Sequence, residues 1–420
     1  MNYFKTLFIC ILLLKTPFLA AQTFVKPDVK CGIDNLIDTN FELLKGKKIA
    51  LLTNQAGRLK NLTSTLDAFK NTKECVLKAV LVPEHGYNGS VPAGEKVESF
   101  LDSTSNIPVF SLYGSNRRPL RSMLTDCNAV VVDLQDIGVR SYTFISTLFH
   151  TMDACAEYGI PIYVLDRPNP LGGEIVDGSV LKPEFTSFVG IAPIPYIHGM
   201  TIGELAKMFN EEGLLKDKNG TARKCKLTVV KLKRWQRTMS WDETGLTWMP
   251  TSPHIPNADA VRGIAITGWT GELSMLNTGV GTTLPFRYYG MPGFKTQDFL
   301  RELDSAFTNP QLVPVKFRPL YGRFSGKECS GVLMFFKEGE PVQPYAVGME
   351  MFIALRRVHP ELFVVEKITK DQQQMFNKVV GTDELFKALF EDSTDDEIRT
   401  ISQQGIEEFL KVRKKYLLYE

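Results

Sequence analysis

From about residue 47 the apolar residues fall in short unbroken runs, and a polar cluster closes almost every run. Runs of this length, rich in Val, Ile and Leu, mark strands buried on both faces of a parallel sheet. The predicted strands are Lys48 to Thr53, Cys75 to Val82, Ile107 to Leu112, Ala129 to Leu134 and Pro161 to Leu165. Between them lie helical patterns around Ser64 to Lys70, Pro119 to Leu124 and Tyr142 to Tyr158, with a further one from Ile202 to about Asn210. Strands alternating with helices imply right-handed crossovers, hence an α/β fold with a parallel sheet covered on both faces. After residue 260 the pattern changes to mixed strands and helices. It ends in a tail where Ile406, Phe409, Leu410 and Leu417 share one helical face, with Arg413, Lys414 and Lys415 complementing the helix dipole.

The polar clusters are Asn54 with Gln55, Glu84 with His85, Gln135 with Asp136, and Asp166 with Asn169. Parallel strands end on the same side, so these four loops share one rim, where open α/β sheets bind ligands. Glu84 stands out because Val80-Leu81-Val82-Pro83 delivers it directly from a buried run. A carboxyl group sheltered at such a mouth is a candidate general acid.

Composition narrows the partners. A net charge of +2 over 420 residues, with no basic stripe, argues against nucleic acid and anionic membranes. Lys5, the apolar stretch Leu7 to Leu14 and the small residues Ala20-Ala21 read as a secretory signal peptide over residues 1–21. The mature chain is therefore expected in the periplasm or outside the cell, with no membrane attachment after cleavage. Six scattered cysteines remain, without metal-like spacing, and read as structural residues. Neither a glycine-rich nucleotide loop nor a Gly-x-Ser-x-Gly elbow is present, and the five histidines form no zinc pair. No cofactor or metal is implied.

The remaining chemistry is carboxylic. Glu84, Asp136, Asp166, Glu174 and Asp177 are candidate acids, while Asn54, Gln135, Asn169 and Tyr142 can bond hydroxyl groups. Glycoside cleavage needs a protonated acid near the leaving oxygen and a second group that stabilises the oxocarbenium-like centre. An N-acetyl sugar can supply its own nucleophile through the acetamide oxygen. Arg140 and Arg167 can pair with an anionic substituent, or form structural ion pairs.

Four motifs occur in order: Pro83-Glu84-His85-Gly86, the stretch Asp133 to Thr143, Leu165-Asp166-Arg167-Pro168-Asn169-Pro170, and His198-Gly199-Met200-Thr201 continuing to Leu205. Together they resemble the exo-β-N-acetylmuramidase family from about Cys31 to the C-terminus. The resemblance implies a Rossmann-like catalytic domain over residues 22–260 and a smaller α/β domain over 261–420 that closes the cleft. It also implies release of N-acetylmuramic acid from the non-reducing ends of peptidoglycan fragments, with Glu84 as the catalytic acid. Glu174 and Asp177 are then the expected helpers, with Asp166 behind them. His85, His198 and the amide residues of the rim would contact the sugar, and Arg140 or Arg167 its lactyl carboxylate. The chain departs from the family pattern at His254, where Asn is frequent, and at Val280, where Arg is frequent. A periplasmic sugar-binding protein, or an esterase or amidase acting on the same wall material, is the alternative.

Overall fold

The computed structural model describes residues 28–303, 307–337, 339–340, 342–391 and 393–420. The expected signal segment lies outside the described residues. Seven strands form the main sheet: β1 (Lys48–Thr53), β2 (Val76–Val82), β3 (Phe100–Asp102), β4 (Ile107–Ser111), β5 (Ala129–Asp133), β6 (Ile162–Leu165) and β7 (Leu227–Val230). Their order is β3-β4-β2-β1-β5-β6-β7. Only β3 runs antiparallel to its neighbour. The chain winds outward from β1 to one edge and then returns to build the other. The loops after β2, β1 and β5 therefore flank the switch point, where a crevice opens.

Alternation along the strands explains the unbroken apolar runs. Ala50 and Leu52 of β1 join a core with Val130, Val132 and Val164. Ile49 and Leu51 join a second core with Val80, Val82, Val131 and Leu165. Strands β1, β2, β5 and β6 thus feed two apolar layers. Helices α1 (Gly32–Asp38) and α2 (Thr65–Asn71) cover one face, and α3 (Phe144–Tyr158) and α4 (Ile202–Glu211) the other. Strands β3 and β7 were not evident in the sequence. Both are edge strands of three or four residues that are only partly buried, so neither carries a full apolar run.

The C-terminal half contains a three-stranded antiparallel sheet in the order β8-β10-β9, from β8 (Tyr288–Met291), β9 (Gln311–Phe317) and β10 (Cys329–Phe335). Around it lie α5 (Ala258–Gly271), α6 (Thr296–Glu302), α7 (Pro344–Val358), α8 (Lys370–Val380), α9 (Glu384–Phe390), α10 (Asp395–Ser402) and α11 (Ile406–Arg413). Trp269 of α5, fully buried, packs against Tyr345, Phe352 and Phe376. The first core continues from the main sheet into these helices without a break. The position expected for the domain boundary, 260/261, falls inside α5.

The tail differs from its expected form. Helix α11 stops at Arg413, and Leu417 to Glu420 run back along the main sheet domain. Leu418 donates its N–H to Glu204 at 2.7 Å, and the Tyr419 hydroxyl donates to Asp166 at 2.5 Å. Arg413 is not a solvated dipole partner: it is buried and donates to the carbonyls of Gly173 and Gly199. Leu410, assigned to the apolar face, is 40% exposed.

Candidate active site

Glu84 leaves β2 through Pro83 and is 6% exposed. The next two residues, His85 and Gly86, both have left-handed backbones (φ +70° and +73°). That conformation is costly for a histidine. Its Nδ1 lies 2.8 Å from the Val91 carbonyl, which ties the turn down. The Gly94 N–H donates to Glu84 Oε1 at 3.0 Å, and the Thr143 hydroxyl bonds Oε2 at 2.6 Å. Tyr113 lines the same wall, its phenol pushed up to about 12 by burial and by the neighbouring Glu84 carboxyl.

Thr143 stands at the N-terminus of α3, at the end of the loop that follows β5. Arg140 pins that loop. Its N–H donates to Tyr196 O at 2.7 Å, and its guanidinium donates to the carbonyls of Ser179, Ile194 and Val379 at 2.6–2.8 Å. Burial lowers the Arg140 pKa to about 10. Tyr142, between Arg140 and Thr143, donates its hydroxyl to Thr251 at 2.8 Å.

A cavity of about 600 Å3 opens beside Glu84, lined from both halves of the molecule. The sheet half supplies Glu84, His85, Tyr142 and Thr143, and the C-terminal half supplies Ile264, Glu272, Phe286 and Lys378. Arg117 and His254 also line it. His254 Nε2 lies 3.0 Å from the Tyr321 hydroxyl. Such a volume is in the usual range for a small-molecule site, about 300–1,000 Å3.

Two family models, the N-terminal and C-terminal parts of "Exo-beta-N-acetylmuramidase NamZ", match residues 49–259 and 266–419. The chain belongs to the NamZ family. "Peptidoglycan beta-N-acetylmuramidase NamZ" of Bacillus subtilis (strain 168) is 36% identical over 403 residues, which are 95% of this chain and 93% of that protein. Two solved structures of DUF1343 family proteins from Bacteroides fragilis NCTC 9343 are similar throughout. One superposes with a TM-score of 0.86 at 33% identity, the other with 0.73 at 29%. Each comparison covers 94% of this chain and 99% of the other.

Of the site residues expected in this NamZ family member, Glu84, His85 and Tyr142 come together at the cavity. The others do not line it. Arg167 is engaged with Asp133, donating to both carboxylate oxygens at 2.6 and 2.8 Å in the interior. Asp166 accepts from Thr201, Gly203, Tyr419 and the Arg167 N–H, and anchors α4 and the C-terminal tail. Burial raises its pKa to about 7. Asn169 bridges Leu171 N and Met200 O. Gln135 donates to the carbonyls of Asp136 and Pro168. Asn54 caps Ala56 N, and Asp136 accepts from Gly138 N with His198 Nε2 3.3 Å away. These groups stitch the rim loops to one another.

The expected helper carboxyls also lie elsewhere. Glu174 is exposed and lines a separate groove with Arg237 and Phe336. Asp177 accepts from the N–H groups of Tyr345 and Ala346 at the start of α7, and from Gly178 N and Gln403, so it docks the two halves together.

The second carboxyl group at the cavity is Glu272, at the end of α5, and the sequence reading missed it. Its signal was local: a lone acid closing a helix whose C-terminal dipole disfavours negative charge. Burial alone pushes its pKa up to about 7. Between the ordinary value of 4.5 and about 7, the folded protein then holds a proton that the unfolded chain has lost. This contribution is fully present below pH 4.5, falls as pH rises, and is gone above pH 7. Glu272→Gln is expected to remove that part of the slope, measured as the variant-minus-wild-type difference in urea stability from pH 4 to 8. An unchanged slope would exclude a desolvated carboxyl here.

Proposed function

We propose that this glycoside hydrolase releases N-acetylmuramic acid from the non-reducing ends of peptidoglycan fragments, with Glu84 as general acid. One observation carries the reading: a buried glutamate at the end of a sheet strand, fixed by two hydrogen bonds, on the wall of a sugar-sized cavity. The activity named for the Bacillus subtilis relative supports the substrate class.

The hydrogen bonds suggest where the acid proton sits. Gly94 N–H can only donate, so Oε1 acts as the acceptor oxygen. The Thr143 hydroxyl both donates and accepts, so Oε2 carries the proton in the acid form. Glu84 passes this proton to the glycosidic oxygen as its bond to the anomeric carbon breaks. The substrate acetamide oxygen attacks that carbon, and water then opens the oxazoline, returning a proton to Glu84.

Arg140 and Arg167 are occupied, so a different cation has to meet the lactyl carboxylate. Arg117 and Lys378 line the cavity, and among the described residues neither forms an ion pair. The Arg117 guanidinium lies 4.5 Å over the Phe188 ring and 5.7 Å from that of Tyr113, which holds its plane for a bidentate contact. A charged hydrogen bond is worth about 1.5–3 kcal/mol. Arg117→Ala should therefore raise KM for a muramic acid glycoside about tenfold to hundredfold, and leave the glucosamine analogue without the lactyl group unaffected. An equal change for both substrates would remove Arg117 from this role.

The leader expected at residues 1–21 supports action in the periplasm or outside the cell. No helix among the described residues is long and apolar enough to cross a membrane. The defining assay is incubation with muramic-acid-terminated fragments, with free sugar detected by mass spectrometry. Saturable binding with no released sugar would make the protein a binding module instead.

A further inference from the structure

Ile264, Gly268 and Glu272 recur at four-residue spacing and line the cavity together. Glu272 follows the last helical residue with φ −64° and ψ −27°, so it continues the helical path and stays on that face. A Cβ at Gly268 would come within 2.8 Å of the Ile264 side chain and 3.1 Å of the Tyr196 hydroxyl. Glycine therefore leaves bare backbone in the wall between Ile264 and Glu272. Phe286 and Met375 add apolar surface to the same cavity. The C-terminal half thus offers an apolar wall with one carboxyl group. A 2-acetamido group has matching chemistry: a methyl, a flat amide and one N–H to donate.

Glu272, half-buried in the cavity wall, has no structural partner there. Among the described residues no donor hydrogen-bonds its carboxylate, and desolvation is the sole influence on its ionisation. An unpaired carboxylate drawn partly out of water costs stability, and the end of a helix adds to that cost. Carboxyl groups retained under such terms are functional-site candidates.

We propose that Glu272 is the second catalytic carboxyl group, accepting the N–H of the substrate acetamide and driving the acetamide oxygen onto the anomeric carbon. This rests on the glycosidase reading above. In the first step Glu84 protonates the glycosidic oxygen, the bond from that oxygen to the anomeric carbon breaks, and the acetamide oxygen bonds the carbon. The amide proton passes to Glu272, leaving a neutral oxazoline. In the second step water adds to the anomeric carbon and gives its proton to Glu84, the bond to the acetamide oxygen breaks, and Glu272 returns its proton to nitrogen. Water is the only co-reactant. Two displacements at one carbon retain the anomeric configuration.

The test compares Glu84→Gln and Glu272→Gln on two chromogenic muramic acid glycosides, one with an ordinary phenol and one with an activated dinitrophenol leaving group. Acid–base groups contribute on the order of 10²–10⁴-fold, so both variants should lose at least about a hundredfold on the ordinary substrate. The activated leaving group needs no proton and should restore much of the Glu84→Gln rate. Glu272→Gln should remain down about a hundredfold, because acetamide attack is still required. Glu272→Asp, which keeps the carboxyl group, should recover part of the rate. Wild-type product followed by NMR should appear first as the β-anomer. The proposal is overturned if Glu272→Gln stays within about threefold of wild type, if both variants are rescued alike, or if the α-anomer appears first. If wild type releases no muramic acid, the glycosidase reading itself fails, whatever the variants do.

Discussion

Glu84→Gln should reduce turnover of a muramic acid glycoside by about 10²–10⁴-fold while sugar binding survives. Glutamine keeps the volume of the side chain and can still accept from Gly94 N and meet the Thr143 hydroxyl, so the wall of the cavity should stand. What it lacks is a transferable proton. The loss should therefore appear in kcat rather than KM, because the interaction removed is made in the transition state. Calorimetry with free N-acetylmuramic acid provides the control, and its affinity should stay within a few-fold of wild type. Full turnover by the variant would remove Glu84 from the reaction. Lost sugar binding would mean that it serves the cavity wall rather than the chemistry.

The second large effect should fall on stability. Arg167→Leu is expected to cost about 3–5 kcal/mol, read from urea unfolding. Asp133 is fully buried at the end of β5, and its carboxylate is met by the Arg167 guanidinium and the Thr65 hydroxyl. Removing the arginine leaves a buried charge facing one hydroxyl. Replacing Asp133 and Arg167 together by apolar residues should recover most of the loss, since an absent pair leaves no unpaired charge. The folded fraction of Arg167→Leu should keep the wild-type KM for a muramic acid glycoside. A selective rise in that KM with little loss of stability would return Arg167 to the substrate role first expected of it.

The two arginines show why residue type on a rim is an incomplete guide. Arg140 and Arg167 sit in motifs that look chemical, and each can bind an anion. Both are buried, and a buried guanidinium has to place its donors. Arg140 finds carbonyls at Ser179, Ile194 and Val379, and Arg167 finds Asp133, with partners drawn from remote parts of the chain. Asp166 is spent in the same way on Thr201, Gly203 and Tyr419. Their positions are legible from sequence, but the partners that occupy them are not.

The sequence by itself determined the parallel sheet, its two apolar layers and the place of Glu84. Strands buried on both faces are read as apolar runs, and the polar clusters of the rim stand where those runs end. The folded structure alone decided which polar residues stay free for a substrate. It matched buried donors with acceptors from distant segments, and it brought the end of α5, with Glu272, to the cavity beside Glu84. Local pattern reports how each segment is buried. Which carboxyl groups face the cavity, and which are spent joining remote segments, is an outcome that exists only in three dimensions.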